Sequence, residues 1–473
     1  MSLSKEKIRK YYDNEAEKKS FWQKRSSYYY KDIAFFTSFN IEPGSRVLEL
    51  GCATGNLLDV LQRKGCHCTG IDFSAPMISR AKKKFPKISF IHVDAEDFKL
   101  NQKFDYVIFS DVLNSLTDIQ KTFENIRQCC QPSTRIIITY YNFLWEPIFK
   151  IARSVRMISP VPEQSWLSPF DIENLLTLAD FDIVKSGKRM LLPMGIPLLA
   201  PLMNKYLARL PLIEKLCVYN FVIARPINLI PPSPQSVSVV IAARNEKGNI
   251  ENAIKRLPKM GSKTELIFIE GGSTDGTYEE ILRVAEKYKD TLPIKVAKQG
   301  GKGKGDAVRK GFDMASNDIL MILDADLTMP PEDLPKFYDA INSNKGEFIN
   351  GCRLVYPMES EAMRSINRFG NKMFSIMFTW ILGQKFRDTL CGTKVLTKKN
   401  YEILKKNRYY FGDFDPFGDF DLIFGASKMN LKIIEVPIRY KDRLYGSTNI
   451  SRFIHGFILI RMCLFAMRKI KFY

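Results

Sequence analysis

Two carboxylates stand two residues apart at the end of an apolar run in the C-terminal half of the chain. The run is Ile319-Leu-Met-Ile-Leu323, and it leads directly into Asp324 and Asp326. Its length and its Ile and Leu content predict a buried parallel strand. Carboxylates at a buried strand end are costly unless positive charge neutralises them. Mg²⁺ or Mn²⁺ carrying a diphosphate would supply that charge, because these cations prefer oxygen ligands. An acidic surface turn is the alternative interpretation.

Other polar turns follow predicted strands in the same half. One strand ends near Ala243 and is followed by Asn245 and Glu246, and the next ends at Glu270 in a Gly-rich turn. The loop Gly300-Gly-Lys-Gly-Lys-Gly-Asp306 offers backbone N–H groups and ammonium charges to anions. It is not a P-loop, because no Gly-Lys-Ser/Thr follows at that spacing. Since parallel sheets bind ligands at the carboxyl ends of their strands, these turns and the double Asp predict a nucleotide-diphosphate site with a metal.

The N-terminal half also alternates strands with helices, after one or two helices that we expect in residues 1–40. A short apolar strand ends in the turn Leu50-Gly-Cys-Ala-Thr-Gly-Asn56, whose glycines let a ligand approach the backbone before a helix N-terminus. Later strands end at acids, namely Asp72, Asp94 and Asp111. An acid about 20 residues beyond a Gly-rich turn suits the hydroxyl pair of a ribose. The alternation predicts a doubly wound α/β sheet.

These strand ends resemble the class I methyltransferases that use S-adenosylmethionine, over residues 40–142 and in layout to about residue 226. The resemblance implies a Rossmann-like methyltransferase sheet with S-adenosylmethionine as cofactor. It implies that Glu49, Gly51 and Gly55 shape the pocket for the methionine end and that Asp72 holds the ribose. It also implies that Asp94 with Ala95 faces the adenine and that Asp111 lies near the sulfonium. Ala53 stands where the family often has a third Gly. A Rossmann-like domain that has lost its ligand is the alternative.

The methyl acceptor stays open at the level of the sequence. Methyl transfer needs alignment and, for a hydroxyl acceptor, a base. The chain has no Asn-Pro-Pro-Tyr signature, and neither His67 nor His92 falls at an obvious base position. Tyr140, Tyr141 and Asn142 follow a predicted strand, and they fit either the acceptor side of the pocket or, as we favour, packing.

The C-terminal half resembles glycosyltransferase family 2 with the GT-A fold, from about Ser236 to Ile450, and within it the polyprenyl-phosphate hexose synthases. The resemblance implies a GT-A sheet that transfers a hexose with inversion from a nucleotide-diphosphate sugar. It implies nucleoside contacts from Ala243, Asn245, Glu246 and Glu270, a diphosphate contact from Lys304, and metal binding by Asp324 and the catalytic Asp326. Glu270-Gly271 stands where the family often has two Asp, so the choice between uridine and guanosine stays open.

Basic residues and one acid bear on the sugar acceptor. In the lipid-phosphate enzymes, arginines clamp the acceptor phosphate, a task suited to guanidinium. The resemblance carries acceptor roles to Arg353, Arg364, Asp388 and Arg443. Asn449 replaces a Lys of the family. Asp419 resembles an Asp that deprotonates hydroxyl acceptors in many relatives. If Asp419 acts as a base, the sugar acceptor is a hydroxyl of a glycan or small molecule. If Asp419 only positions the acceptor, the polyprenyl phosphate stays the expected acceptor.

Composition fits a two-domain enzyme with a basic surface. The chain has 473 residues, a net charge of +20 and nine Cys without a matched pair of metal-ligand spacings, which suits a reducing compartment. The charge fits an anionic membrane or phosphorylated substrates. No nucleic-acid-binding module is recognisable, so we expect no nucleic-acid partner. We see neither a signal peptide nor an apolar run of about 18 residues.

The sequence predicts four segments: a methyltransferase domain over 1–228, a Pro-rich linker over 229–235, a glycosyltransferase domain over 236–452 and a basic amphipathic tail over 453–473. Three apolar stretches, 191–203, 373–383 and 453–467, are too short to span a bilayer. The last two have basic flanks and suit interfacial helices. We therefore expect a cytoplasmic enzyme, peripheral at the cytoplasmic face of the membrane, in which both halves are active or one is a silent binding or docking module.

Overall fold

The computed structural model describes residues 5–158, 165–355, 365–410, 418–441, 443, 445 and 452–473. They form two compact units, of which the first extends to Pro231 and the second runs from Pro232 to Lys471. The division falls within the stretch predicted as a linker. Each unit contains one seven-stranded sheet.

The sheet of unit 1 has the strand order β3-β2-β1-β4-β5-β7-β6. Its strands are β1 (Arg46–Leu50), β2 (His67–Asp72), β3 (Ser89–His92), β4 (Phe104–Ser110), β5 (Cys130–Tyr141), β6 (Phe181–Arg189) and β7 (Tyr219–Pro226). The first five strands are parallel, and β7 lies antiparallel between β5 and β6. Strand order reverses between β1 and β4, and such a reversal opens a crevice where α/β sheets bind ligands.

Helices cover both faces of this sheet. They are α1 (Lys5–Glu15), α2 (Lys19–Arg25), α3 (Ser27–Asn40), α4 (Asn56–Arg63), α5 (Ala75–Lys84), α6 (Ile119–Ile126), α7 (Glu146–Ser154), α8 (Pro169–Leu178) and α9 (Leu199–Lys205). The N-terminal segment forms three helices instead of the one or two expected, because turns at residues 16–18 and at Ser26 interrupt it. Side chains define other helix starts: Ser74 accepts from Met77 N at α5, and Ser168 forms a capping box at α8.

The core of unit 1 explains why its central strands read as continuous apolar runs. Leu48, Val107, Phe109 and Ile136 are fully buried on the inner strands β1, β4 and β5. Because helices pack on both faces, side chains of either orientation are removed from water. The carboxyl ends of these strands are therefore the first points at which polar side chains reach an accessible crevice.

The sheet of unit 2 has the order β10-β9-β8-β11-β13-β12-β14. Its strands are β8 (Val237–Ala243), β9 (Thr264–Glu270), β10 (Ile294–Lys298), β11 (Ile319–Ile322), β12 (Phe348–Cys352), β13 (Lys394–Thr397) and β14 (Ile433–Pro437). Strands β8 to β11 are parallel, and β13 is antiparallel to both of its neighbours. Here strand order reverses between β8 and β11, so the turns after Ala243 and Ile322 flank one crevice.

Helices of unit 2 pack the second core. They are α10 (Lys247–Lys255), α11 (Thr277–Tyr288), α12 (Gly303–Met314), α13 (Leu334–Asn342), α14 (Ser365–Leu382), α15 (Lys398–Lys406), α16 (Phe420–Lys428) and α17 (Arg452–Ala466). Two of the apolar stretches noted in the sequence are α14 and α17, and each buries one side in the core, through Phe378 and Ile381 and through Leu459 and Met462. Within the described ranges no helix is both long and apolar enough to cross a membrane.

Candidate active sites

The Gly-rich turn after β1 brings the first strand end of unit 1 against the loop after β4. Gly51 N and Cys52 N both donate to Ile71 O, at 2.9 and 3.0 Å. Gly51 has a φ of 70°, and a Cβ added there would lie 2.3 Å from Val112 Cγ2. Only glycine combines this backbone conformation with this close approach. Gly55, at the start of α4, instead packs on Phe90, 2.5 Å from an added Cβ.

Asp72 connects the end of β2 to the same turn. Its two oxygens accept from Ala53 N and from Ser74 N, both at 2.9 Å. The carboxylate is 6% exposed, and burial raises its pKa. Each oxygen keeps a lone pair for a further donor, as a ribose hydroxyl pair requires.

One cavity joins four of the residues predicted to bind the cofactor, since Gly51, Asp72, Asp94 and Ala95 all line it. Helix α1 contributes Lys5 and Ile8 to the lining of this cavity. Lys5 Nζ lies 2.6 Å from Asp94 Oδ2 and 2.8 Å from Glu96 Oε2. Lys5 could not be predicted from the sequence, because the helix carries many charged residues and the partners of Lys5 lie about ninety positions away.

Glu49, which we predicted to lie near the methionine end of S-adenosylmethionine, has a buried carboxyl with one unpartnered oxygen. It is 3% exposed, and its Oε2 has no hydrogen-bond partner. Burial, with a contribution from Asp72, raises its pKa to about 8. An orphaned buried carboxyl beside a Gly-rich turn fits the ammonium of an amino-acid moiety, as S-adenosylmethionine would provide.

Asp111 lies directly after β4 in a left-handed conformation with a φ of 54°. Its Oδ2 accepts from Tyr29 Oη at 2.8 Å and its Oδ1 from Thr139 Oγ1 at 3.4 Å. Burial raises its pKa to about 7. Strained backbone and a carboxyl that titrates near neutrality are features that cluster at reaction centres. Tyr29, on α3, was not predicted as a site residue.

Aromatic rings continue from Tyr29 to the surface of unit 1. Tyr141 stacks on Tyr29 at 5.7 Å and contacts Phe149 at 5.0 Å, and Phe149 stacks on Trp166 at 6.0 Å. Tyr140, by contrast, is buried in the core. The packing interpretation therefore suits Tyr140, whereas Tyr141 stacks on the Tyr29 ring whose hydroxyl donates to Asp111.

Asn142 serves the fold as well. Its Nδ2 donates to Lys215 O at 3.1 Å and to Cys217 O at 2.8 Å, which ties the end of β5 to the segment before β7.

In unit 2, the two carboxylates after β11 each carry a cationic partner. Lys304 Nζ donates to Asp324 Oδ1 at 2.5 Å, and Arg443 Nη2 donates to Asp326 Oδ2 at 2.6 Å. Burial alone would raise the pKa of Asp324, but Lys304 outweighs burial and lowers it. Lys304 belongs to the first turn of α12, so the Gly/Lys loop and the double Asp form one charged cluster.

Gly392 packs directly against this cluster. A Cβ added there would lie 2.0 Å from Asp324 Oδ2 and 2.5 Å from Lys304 Nζ. The absence of a side chain at Gly392 is therefore what allows the Lys304–Asp324 pair to take its position.

The turn after β8 joins the cluster through Arg443. Its Nη1 lies 3.3 Å from Glu246 Oε1, and Glu246 Oε2 accepts from Asn249 Nδ2 at 2.7 Å. Arg443, predicted to hold the acceptor, thus lies between the double Asp and a residue predicted to face the nucleoside. Burial raises the pKa of Glu246.

The turns after β8 and β9 are tied to each other. Gly271 N donates to Ala243 O at 2.9 Å, and Asn245 Oδ1 accepts from Thr274 N at 2.9 Å. Glu270 Oε1 accepts from Ser273 N at 2.5 Å. The residues predicted to face the nucleoside therefore lie together at the edge of the crevice between β8 and β11.

Arg353 and Asp388 form a buried pair. Arg353 Nε and Nη2 donate to the two Asp388 oxygens at 2.7 and 2.8 Å, and Arg353 N adds a third bond at 2.9 Å. Asp388 is fully buried. Burial alone would raise the pKa of Asp388, but the guanidinium outweighs it and holds that pKa below its usual range. Tyr440 stacks on the guanidinium at 5.2 Å.

Asp419 precedes α16 and faces Lys394, a residue that we did not predict. Lys394 Nζ lies 3.1 Å from Asp419 Oδ1, and its side chain is completely buried. Its position, six residues after Asp388 at the start of β13, carries no motif of its own. Arg364, the last predicted acceptor residue, lies outside the described residues.

The double Asp suits a metal that a substrate helps to bind. Among the side chains that the structure describes, no three His, Cys, Asp or Glu converge on one point. Mg²⁺ typically takes one or two carboxylates and completes its shell with phosphate oxygens and water. Asp324 and Asp326 meet that requirement.

Each of the two units matches a known protein family. Residues 238–403 match the family model of glycosyl transferase family 2, and residues 21–186 match a methyltransferase domain model. The glycosyltransferase AglJ of Haloferax volcanii is 30% identical over 231 residues, which are 48% of this chain and 71% of that protein. The dolichol-phosphate mannosyltransferase of Saccharomyces cerevisiae is 37% identical over 247 residues, 46% of this chain and 91% of its own.

A third relative, the dolichol-phosphate mannosyltransferase of Pyrococcus furiosus, is 36% identical over 221 residues, 46% of this chain and 59% of its own length. Among solved structures, the S-adenosylmethionine-dependent methyltransferase of Thermotoga maritima is 15% identical, with 46% of this chain and 99% of that one covered and a TM-score of 0.37.

The chain has two α/β units, each with polar side chains at the point where strand order reverses, and the family matches identify it as a two-domain transferase. The chain belongs to glycosyl transferase family 2 through its C-terminal unit, and its N-terminal unit is a methyltransferase domain. It is a glycosyltransferase fused to a methyltransferase.

Proposed function

We propose that unit 2 transfers a hexose, with inversion, from a nucleotide-diphosphate sugar to a polyprenyl phosphate, and that unit 1 transfers a methyl group from S-adenosylmethionine. The observation that carries the first half is the cluster in which Lys304 and Arg443 neutralise Asp324 and Asp326. A diphosphate with its metal exchanges readily into such a cluster, because each charge finds a new partner of opposite sign.

The residues of this cluster and its neighbours would bind different parts of the donor substrate. Asp324 and Asp326 would hold Mg²⁺ or Mn²⁺, which stabilises the leaving diphosphate. Lys304 is released toward the diphosphate, and Ala243, Asn245, Glu246 and Glu270 form the edge that receives the nucleoside.

A lipid phosphate is the acceptor that the relatives favour, since two of them are dolichol-phosphate mannosyltransferases. A phosphate is already anionic and needs no base. The second candidate is a hydroxyl acceptor with Asp419 as base; the buried Lys394 ammonium lies 3.1 Å from Asp419 Oδ1 and would hold that carboxyl in position.

The outer sides of α14 and α17 support the proposal that unit 2 docks on a membrane. Ile376 is 64% exposed on α14, while Phe457 and Ile460 are exposed on α17 beside the exposed Arg461. Apolar side chains with neighbouring basic groups suit the interface of an anionic bilayer. This arrangement supports a peripheral enzyme at the cytoplasmic face of the membrane.

Unit 1 supplies the cofactor site and a base. Bound S-adenosylmethionine supplies an electrophilic methyl group. Glu49 and Asp72 would hold its ammonium and ribose, Asp94 and Ala95 its adenine, and Asp111 would take the proton from an acceptor hydroxyl. The Tyr29 hydroxyl orients that carboxyl.

The test is sugar transfer by the purified chain with Mn²⁺ or Mg²⁺, a panel of UDP- and GDP-hexoses and a short polyprenyl phosphate. We expect label in an organic-extractable product, lost in Asp326→Ala and retained in Asp290→Ala, an exposed acid after α11. Hydrolysis of the nucleotide sugar without a lipid product would refute the lipid-phosphate acceptor and favour hydroxyl acceptors with Asp419 as base. If Asp72→Ala leaves methyl transfer unchanged, or Asp324→Ala leaves sugar transfer unchanged, the corresponding unit is a silent module.

A further inference from the structure

Unit 1 exposes an unusual concentration of large apolar side chains in two segments, residues 143–157 and 190–217, which we call the cap. In the first segment Ile148 is 51% exposed and Ile151 65%. In the second, Leu198 is 89% and Leu212 78% exposed. Isolated exposed apolar residues are ordinary, but a contiguous patch indicates an interaction surface.

The two segments of the cap form one surface. Trp145 Nε1 donates to Leu216 O at 2.8 Å, and Asn142, just before the first segment, bonds to Lys215 O and Cys217 O in the second. Since β5 ends at Tyr141 and β7 begins at Tyr219, the cap lies at the sheet edge where Asp111 follows β4. Phe149 of α7 contacts Tyr141, which stacks on the Tyr29 that bonds Asp111.

The charges interspersed with these apolar groups are mainly positive. Lys150 and Arg156 are exposed in the first segment and Lys205 and Lys215 in the second. The cap contains only two acids: Glu146 pairs with Lys150 at 2.8 Å and so offsets that lysine, and Glu214 accepts from Lys188 N at 3.0 Å. Exposed Leu and Ile among Lys and Arg match the acyl boundary and anionic head groups of a bilayer.

We propose that the cap docks on an anionic membrane surface, and that the methyl acceptor is a membrane-borne amphiphile whose polar head enters along Tyr141 toward Asp111. This proposal rests on the proposed methyl transfer by unit 1. The acceptor's hydroxyl oxygen forms the new bond to the methyl carbon, the carbon–sulfonium bond breaks, and the proton goes to Asp111. The apolar remainder of the acceptor stays in the bilayer under the cap.

The docking is tested on the full chain with a polarity-sensitive fluorophore. All nine native Cys are buried, so an introduced surface Cys is labelled selectively. Ile151→Cys and Leu212→Cys probe the cap, Ile460→Cys probes unit 2, and Lys83→Cys on the exposed side of α5 is the control. With phosphatidylcholine vesicles containing phosphatidylglycerol, we expect a severalfold rise and a blue shift at both cap positions and no change at Lys83→Cys.

A response at Ile460→Cys with silent cap positions would overturn this inference and leave the membrane docking of unit 2 intact. Silence at all positions would overturn both. If the cap is silent and the chain is a dimer that Ile151→Glu dissociates, the surface belongs to a second copy and the inference fails.

The acceptor class is tested separately with tritiated S-adenosylmethionine and a membrane extract. We expect label in organic-extractable material, reduced at least tenfold in the double variant Ile151→Glu/Leu212→Glu with S-adenosylmethionine binding unchanged by calorimetry. Label confined to water-soluble product, or undiminished in the double variant, would overturn the lipid-borne acceptor. Absence of methyl transfer from any fraction would overturn the proposed activity itself.

Discussion

Replacement of Arg353 by Met should destabilise unit 2 strongly, because it strands a buried charge. Asp388 is fully buried and receives three hydrogen bonds from Arg353. Removing one partner of such a pair costs about 3–5 kcal/mol. For a unit of this size each kcal/mol shifts the melting temperature by roughly 2–4 °C, so we expect the calorimetric transition of unit 2 to fall by roughly 6–20 °C.

Arg256→Met is the matched control. Arg256 also binds a carboxylate through two nitrogens, Glu332 at 2.7 and 2.8 Å, but that pair is exposed. Exposed pairs contribute about 0–1 kcal/mol, so its transition should fall by no more than about 4 °C. Equal small shifts in both variants would refute the reasoning. Loss of sugar transfer at an unchanged melting temperature would instead assign Arg353 to the acceptor phosphate.

The pH dependence of stability distinguishes the loss of a charge pair from the loss of packing in Arg353→Met. In the native chain the pKa of Asp388 is below its usual range, so its contribution to stability is present above about pH 4 and is lost as pH falls through the folded-state pKa. In Arg353→Met the buried carboxylate has no cation, and its pKa rises. Its penalty is therefore greatest at neutral pH and shrinks on acidification. If the difference in unfolding free energy between Arg353→Met and the native chain stays constant with pH, the lost stability comes from packing and not from charge.

Three further predictions concern the two sites. Methyl transfer should rise through pH 7 as Asp111 ionises, since its pKa is about 7, and Tyr29→Phe should move the midpoint of the rate–pH profile upward by about one unit because it removes a hydrogen bond to the carboxylate. Gly51→Ala should weaken S-adenosylmethionine binding in calorimetry at least tenfold, because the new Cβ meets Val112, whereas Gly44→Ala, with a similar φ and open space, should not. EDTA should abolish sugar transfer and leave the rate of methyl transfer unchanged, and equal loss of both activities would contradict the assignment of the metal to unit 2.

The strand ends could be predicted from the sequence because each is a local signal. A buried strand such as β11 is a short apolar run, and the first polar residues after it, Asp324 and Asp326, must lie at the sheet edge. The same reasoning located Asp72 and Asp111. Chain order then brings these ends together, since parallel strands place their carboxyl ends on one side.

The partners of these residues could not be predicted, because they come from distant parts of the chain. Arg443 lies 117 positions from Asp326, and Tyr29 lies 82 positions from Asp111. Arg443 was predicted to hold the acceptor, but nothing in the sequence indicated that it pairs with Asp326, and Tyr29 belongs to no pattern that distinguishes it from other tyrosines. Lys394 is a further case, because a buried lysine is indistinguishable in sequence from a surface one. Only tertiary packing decides which of them reaches a site.

Helix α1 has a kinetic consequence for the methyl donor. Lys5 lines the cavity and forms ion pairs to Asp94 and Glu96, so we expect that exchange of the proposed donor involves an outward movement of this helix. In that case the opening frequency of α1 would set an upper limit on turnover. Because Lys5 is 45% exposed, salt screens the two ion pairs, and donor exchange should quicken as ionic strength rises even where the chemical step is unaltered.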